Sequence, residues 1–262
     1  MSRQGRDGNW YSDDGQWVWD GQAWQPVPPM FAAYSVAPGA LVADVGSGFS
    51  LPFRDREWAT KVIVQALILL IPIVGAIAGY GWMLEYMDNL AQGRPLLPPA
   101  GFHLGRGIQL AVPAIVWSLV ASLPCIALFV VFVAWAVNAA SSTAGPPPTN
   151  LVLAQLAIVA TWALPLLLSL LFTFIHPALI VSVWRGGMGG GFQIGRVLRQ
   201  AFGNPVDSLV AAALMIVAGT IASLGMMLCF VGVYFTSMLA IAFMGGFVAW
   251  YAGRVGELQS QP

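Results

Sequence analysis

Two carboxylates stand one helical turn apart, at Glu85 and Asp88, and a second polar pair, His103 and Arg106, follows them in the chain. Residues three apart share one face of a helix, and paired carboxylates can carry out acid–base chemistry. Glu85 and Asp88 fall where an apolar segment leaves the membrane, so a solvated helix end is the favoured interpretation. An enzyme acting on lipids would need a polar cluster at the membrane interface, and only these two pairs could start one.

His176, followed by Pro177, is the candidate for an intramembrane functional residue. A histidine at membrane depth could gate or relay through its protonation. The alternative is a structural histidine that hydrogen-bonds a carbonyl freed by Pro177. We favour the structural interpretation, because no second ionisable residue lies at the centre of any predicted span.

Other catalytic and metal-binding patterns have no support in the sequence. The glycine-rich run 186–195 lacks the preceding strand and the following GK[ST] of a phosphate loop, and it is interpreted as a flexible hinge. No serine–histidine–aspartate set, HExxH or CxxC is present. Cys125 and Cys229 lie far apart in apolar runs, which favours neither a disulfide nor a metal site. We therefore expect no catalytic residues, no metal, no cofactor and no enzymatic activity.

The composition indicates whether water or lipid surrounds this chain. Its 262 residues are 58% hydrophobic and only 8% charged, whereas soluble domains carry about a quarter charged residues. Eleven acidic residues balance eleven basic ones, and no basic patch with interleaved aromatic residues occurs, so nucleic acid is not an expected partner. The composition predicts an integral membrane protein in contact with the lipid bilayer.

Four apolar stretches are long enough to cross a membrane. A hydrocarbon core of about 30 Å needs roughly 20 helical residues. Residues 108–137 and 151–183 each reach that length, and 208–253 holds two such helices that divide at 229–232. The sequence therefore predicts an all-α integral membrane helical bundle with four long spans.

An earlier apolar segment, residues 58–93, carries Pro72 and Gly75 near its middle. We predict a broken-helix hairpin that turns at "IPIVG", which brings the total to about six membrane segments; one kinked span is the alternative. The positive-inside rule favours the hairpin. Arginines mark 184–207 and 84–107 as cytoplasmic, and residues 138–150 carry no lysine or arginine. We expect a multi-pass protein of the cell membrane with both termini in the cytoplasm.

Aromatic and basic residues flank the apolar runs, as is typical of the headgroup layer. In the amphipathic stretch 192–203 we expect Val197 and Phe202, among other apolar residues, to face lipid. The predicted membrane-interface residues are Phe49, Phe53, Arg54, Arg56, Trp58, Lys61, Phe192, Arg196 and Arg199.

The first 28 residues form a polar, tryptophan-rich segment, in which "DDG" and "DG" separate the runs "NWY", "QWVW" and "QAW". This turn chemistry predicts a small β-meander-like module in the cytoplasm. The tryptophans either hold one face together by packing or offer a platform for a peptide. Residues 29–40 are predicted as a flexible linker, 41–254 as the membrane domain and 255–262 as a tail. The residues expected to bind a cytoplasmic protein or peptide, within 10–27, are Trp10, Tyr11, Trp17, Trp19 and Trp24.

The series "FSLPFRDREW", "LIPIVGAIAGY", "NLAQGRPLLP", "FGNPVDSL" and "CFVGVYFTSMLAIAF" resembles the polytopic membrane family called domain of unknown function 4013, over about residues 41–254. The resemblance implies an all-helical integral membrane domain of uncharacterised role. The opening segment is similar to a short aromatic module of bacterial membrane proteins, domain of unknown function 2510. Here "WY", "DDGQWVW" and "DGQAW" match its outline, although Val18 interrupts the paired tryptophans.

Two functions remain in view. The first is a structural or partner-recruiting membrane protein that acts through its N-terminal aromatic module. The alternative is a small-solute or ion transporter or channel built on a weak internal repeat. In that repeat, "GF" at Gly48–Phe49 and again at Gly191–Phe192 precedes a helix, a break and a second helix.

Overall fold

The computed structural model describes residues 3–4, 10–11, 17–19, 23–26, 44–141 and 148–256. The predicted linker at 29–40 and all but the first two residues of the predicted tail lie outside the described residues. So do residues 142–147 of the loop at 138–150, which carries no lysine or arginine.

Among the described residues near the N-terminus, four short strands precede the helices, and each pairs antiparallel with the next in chain order. Two of them lie within the runs "NWY" and "QWVW", a third begins at the last residue of the run "QAW", and one further strand precedes these. That this segment folds by itself stays a prediction. The strands are β1 Arg3–Gln4, β2 Trp10–Tyr11, β3 Trp17–Trp19 and β4 Trp24–Pro26.

The membrane domain begins with a short helix and a helical hairpin. α1 (Ser47–Ser50) continues into a 3-10 turn at Leu51–Arg54. α2 (Trp58–Leu69) and α3 (Val74–Ala91) follow, separated by four residues that include Pro72. Proline has no amide hydrogen and cannot continue the hydrogen-bond ladder of α2. The chain therefore breaks at the position where the sequence predicts a turn.

An extended segment, residues 92–103, contacts both α2 and α3, which run in opposite directions. The segment lies alongside α2, where the side chain of Gln65 forms hydrogen bonds with both the amide and the carbonyl of Gly101, at 2.9 and 3.0 Å. It runs back along α3, where the indole of Trp82 donates to the Pro98 carbonyl at 3.1 Å. The hairpin is thus held by hydrogen bonds to a third segment.

The helices after the hairpin are long and apolar. α4 covers Leu104–Ser141 and α5 covers Pro148–Gly191. Both continue through their prolines, and the non-helical residue inside α5 is Gly187, with φ of 59°. The glycine-rich run therefore interrupts α5 where a hinge was predicted.

The last three helices form a second hairpin behind a short connecting helix. α6 (Ile194–Gly203) leads into α7 (Pro205–Leu224), and α8 (Cys229–Arg254) ends the described chain. A 3-10 turn at Gly225–Leu228 separates α7 from α8, four residues before the predicted break. The turn lies there because a Cβ atom on Gly225 would stand 2.1 Å from the Thr236 hydroxyl, so only glycine permits this approach.

Within the described residues, four helices are long and apolar enough to cross a membrane: Leu104–Asn138, Thr161–Gly191, Pro205–Met227 and Gly232–Arg254. They match the four predicted long spans and are compatible with a multi-pass membrane protein. α2 has 12 residues, or about 18 Å of helix, which is too short to cross by itself. The number of membrane segments contributed by the first hairpin stays a prediction.

α3 lies at the centre of the bundle and packs against α4 and α8. Small residues allow the close approach: Gly79 faces Ile241 and Met238 of α8, and Gly245 faces Tyr86 of α3. These glycines therefore form helix-packing surfaces. Because van der Waals packing replaces the hydrophobic effect in lipid, such close contacts supply much of the association energy.

Candidate functional site

The strands bring three tryptophans together near the N-terminus. Trp17 and Trp19 alternate along β3 and therefore share a face. Trp19 is the register partner of Trp24 on β4, and their ring centroids are 5.5 Å apart. Trp17 and Trp24 each keep 41% of their surface exposed. We call Trp17, Trp19 and Trp24 the aromatic face; it combines packing between rings with open ring surface.

A second candidate site lies at the charged end of the bundle, where α3, α4 and α5 meet. Glu85 of α3 places Oε1 2.8 Å from Nδ1 of His103, the residue that precedes α4. The His103 side chain is 12% exposed and that of Glu85 is 34% exposed. The two polar pairs noticed in the sequence thus meet in space.

The second carboxylate, Asp88, is held from two sides. Oδ2 accepts a hydrogen bond from the guanidinium of Arg106 on α4. Oδ1 accepts one from the indole nitrogen of Trp184 on α5, at 2.9 Å. Charge-assisted hydrogen bonds are stronger than neutral ones. Asp88 therefore links three helices through a single side chain.

Local helix chemistry brings Arg94 to the same site. α3 ends in a Schellman motif, in which Gly93 has φ of 72° and donates to the Leu90 carbonyl at 3.0 Å, while the Arg94 amide donates to the Asn89 carbonyl at 2.9 Å. This motif turns the chain back on itself. The Arg94 guanidinium then donates to the side chains of Asn89, at 3.4 Å, and Gln92.

Together these side chains line a cavity of about 570 Å³. Ligand-binding pockets commonly have volumes of roughly 300–1,000 Å³. Its walls are carboxylates, guanidinium groups, amides and one indole. We call it the interfacial cavity; it is lined by Glu85, Asp88, Asn89, Gln92, Arg94, Pro98, Pro99, Arg106 and Trp184.

The backbone beside this cavity is tightly constrained. His103 has φ of 37°, in the left-handed region that residues other than glycine rarely adopt. A Cβ atom on Gly81 of α3 would lie 2.1 Å from the His103 carbonyl oxygen. Glycine at 81 is therefore required for α3 to approach the start of α4. This contact fixes where His103 stands relative to Glu85.

Half-buried Lys61 and buried Asp55 form a neighbouring ion pair. The Lys61 ammonium lies 2.8 Å from Oδ2 of Asp55 and donates to the Leu97 carbonyl at 2.9 Å. The same Asp55 oxygen accepts from the Leu97 amide at 2.9 Å. The pair ties the start of α2 to the extended segment that borders the interfacial cavity. Lys61 is thus bonded to protein atoms, and its contact with lipid headgroups stays a prediction.

The other predicted interface residues fall into two groups. Phe49 packs edge-on against Phe247 of α8, at 4.8 Å between ring centroids, and is half-buried. Phe53 is exposed and rests on half-buried Trp58 at 4.8 Å. Exposed side chains at the charged end are Arg54, Arg56, Phe192 and Arg199, while Arg196 is half-buried.

Two further predictions can be compared with the structure. Val197 is fully buried in the core, so the expectation that it faces lipid is wrong; α6 packs this side against α5. Phe202 is 55% exposed.

His176 lies half-buried on α5 with its ring 5.4 Å from that of Phe172. Among the described residues no hydrogen bond to the His176 ring is found, so its functional role stays a hypothesis.

Sequence reasoning identified Glu85, Asp88, His103 and Arg106 but not the residues that complete the cavity. Arg94 could have been found from "QGR", because glycine after a helix end predicts a reversal. Trp184 stands 96 residues from Asp88, and no local pattern indicates that contact. Within the described residues, no group of three or more His, Cys, Asp or Glu side chains is placed to hold a metal ion.

The model of the family described as "Protein of unknown function (DUF4013)" matches residues 64–231, more than half of the chain. The chain belongs to this family. The match runs from the middle of α2 to the start of α8, and it includes every residue that lines the interfacial cavity of this DUF4013 protein. Neither the curated proteins nor the solved structures contain a match to the chain.

Proposed function

We propose that this DUF4013 protein is a membrane-embedded recruiting protein, which presents residues 10–27 to a cytoplasmic protein or peptide. The observation that carries the proposal is the aromatic face, on which Trp17 and Trp24 each keep 41% of their surface exposed. Contiguous exposed apolar surface is typical of protein-interaction sites, and tryptophan is enriched among residues that dominate binding energies.

The orientation of the bundle supports a cytoplasmic location for the charged end. Asp207 at the start of α7 accepts from Nε of Arg254 at the end of α8, at 3.2 Å. The contact of Asp88 with Trp184 joins the ends of α3 and α5, which lie in arginine-containing segments, and the Asp207–Arg254 pair joins the start of α7 to the end of α8. These contacts support placing the basic segments at one end of the bundle. By the positive-inside rule that end faces the cytoplasm, in the cell membrane, and the C-terminus lies there with it.

The experiment compares the proteins that co-purify with two forms of this protein. The intact chain and a variant lacking residues 1–28, both tagged at the C-terminus, are purified in mild detergent and their bound proteins are quantified by mass spectrometry. We expect a defined set of cytoplasmic proteins to be lost with the deletion. An identical set for both chains would refute recruitment.

A second candidate function is transport of a small solute or ion. It is favoured by the two helix–break–helix hairpins, α2–α3 and α7–α8, each preceded by a short helix as the internal repeat requires. Against it, Asp, Glu, Lys and Arg in the four spanning helices lie near the helix ends, within the described residues. Flux measured in proteoliposomes, with His176→Ala as the test variant, distinguishes the two functions.

A further inference from the structure

The interfacial cavity contains two charged groups that the protein leaves open to a ligand. Asp88 and Arg106 neutralise each other, and Trp184 takes the remaining Asp88 oxygen. Glu85 uses Oε1 for His103, while its Oε2 has no partner among the described residues. Arg94 bonds only the neutral side chains of Asn89 and Gln92 in the described part of the chain.

The spacing of these two groups sets the size of the ligand. Glu85 and Asn89 are four residues apart on α3, so their side chains share one face about 6 Å apart along the helix axis. The Arg94 guanidinium rests on the Asn89 side chain. One open carboxylate oxygen and one open guanidinium therefore line the same 570 Å³ cavity about one helical turn apart.

Exposed apolar side chains stand close to the cavity in the sequence. Leu104 and Ile108, two residues before and after the cavity residue Arg106, are 37 and 42% exposed, and Phe102, next to the Glu85 partner His103, is 50% exposed. A ligand whose charged part enters the cavity could extend an acyl chain over this apolar surface.

From these observations we infer that the cavity binds a primary-amine phosphate zwitterion, the headgroup chemistry of phosphatidylethanolamine. The ammonium group donates to Glu85, and the phosphate oxygens accept from Arg94. Arginine suits phosphate because its planar fork matches two oxygens. A quaternary ammonium cannot donate a hydrogen bond to Glu85, which disfavours phosphatidylcholine. This inference does not depend on the proposed recruitment of a partner by the aromatic face.

The test uses the full chain in detergent micelles and native mass spectrometry with dihexanoyl-phosphatidylethanolamine as the probe. The two test variants are Glu85→Gln and Arg94→Gln. Each removes one charge-assisted hydrogen bond, and we expect each to weaken binding by about tenfold or more. The matched controls are Glu57→Gln and Arg254→Gln, which change the same residue types at exposed positions outside the cavity. We expect these controls to bind like the parent chain.

Headgroup selectivity supplies a second readout that does not depend on variant folding. Dihexanoyl-phosphatidylglycerol lacks the ammonium group, and we expect it to bind more weakly and to be insensitive to Glu85→Gln. Glycerophosphoethanolamine, which has no acyl chains, separates the two sources of the same chemistry. If this soluble probe binds more weakly than dihexanoyl-phosphatidylethanolamine, the ligand of the cavity is a lipid. If the two bind equally, the ligand is a free zwitterion. Equal affinity for the two lipids in the parent chain, or unchanged affinity in both test variants, would overturn the inference.

Discussion

The indole nitrogen of Trp184 stands 2.9 Å from Oδ1 of Asp88, which joins the end of α5 to the central helix α3 across 96 residues of sequence. Arg106 of α4 binds the other oxygen of the same carboxylate. One side chain therefore fixes the arrangement of three helices at the charged end of the bundle. Its loss has consequences for stability that can be measured.

Trp184→Phe removes the indole donor and keeps an aromatic ring in the core. The part-buried Asp88 oxygen then loses its protein donor and is left to water in the cavity, and we expect a destabilisation of about 0.5–1.5 kcal/mol. Thermal unfolding in detergent measures this change. Trp162→Phe is the matched control, because Trp162 is 78% exposed on α5 and should shift the midpoint little. Equal midpoints for the two variants would contradict the role of the Asp88 contact.

Gly81→Ala tests the close approach of α3 to His103. An alanine Cβ would lie 2.1 Å from the His103 carbonyl oxygen, so backbone must move and the bundle should be strongly destabilised. Gly105→Ala changes the neighbouring helix at a position where a Cβ meets nothing within 4 Å. That control should leave stability unchanged or raise it by about 0.5–1 kcal/mol. The prediction fails if both variants unfold at the same temperature.

Asp55→Ala should be among the more damaging single changes near the charged end. Asp55 is 3% exposed and holds both the Lys61 ammonium and the Leu97 amide. Removing Asp55 leaves the part-buried Lys61 ammonium without its counter-ion and the Leu97 amide without its acceptor, which we expect to cost about 1–3 kcal/mol. Asp44→Ala, at an exposed aspartate, is the control. A smaller unfolding shift for Asp55→Ala than for Asp44→Ala would show that the pair does not hold the segment.

The orientation of the chain is tested by labelling single cysteines. Cys125 and Cys229 are first replaced by alanine, and Ser142→Cys or Ser260→Cys is then introduced. A membrane-impermeant thiol reagent added to intact cells should label position 142 and spare position 260. Reaction at 260 from outside would contradict cytoplasmic placement of the C-terminus.

The four long apolar helices follow from the sequence because apolar length decides whether a segment can cross a membrane. The break before α3 was also predictable, since Pro72 removes an amide that α2 would need. The break before α8 was placed four residues late, because its position depends on Gly225 meeting Thr236, a contact between two helices. Packing against a neighbouring helix has no signature in one apolar run.

The interfacial cavity was only half predictable for a similar reason. Spacing alone shows that Glu85 and Asp88 share a face. The meeting of Glu85 with His103 requires residues 92–103 to fold back along α3, and Trp184 arrives from a distant helix. These contacts are set by tertiary packing. The burial of Val197 arises in the same way, from the docking of α6 on α5.

The most direct test of the central proposal replaces the exposed rings of the aromatic face in the full-length chain. Trp17→Ala with Trp24→Ala is compared with Trp162→Ala, which removes an exposed tryptophan from α5, and bound proteins are quantified after capture in mild detergent. Recruitment predicts that the double variant loses the same partners as the deletion of residues 1–28, while Trp162→Ala retains them. Full retention of those partners by the double variant would contradict the proposal.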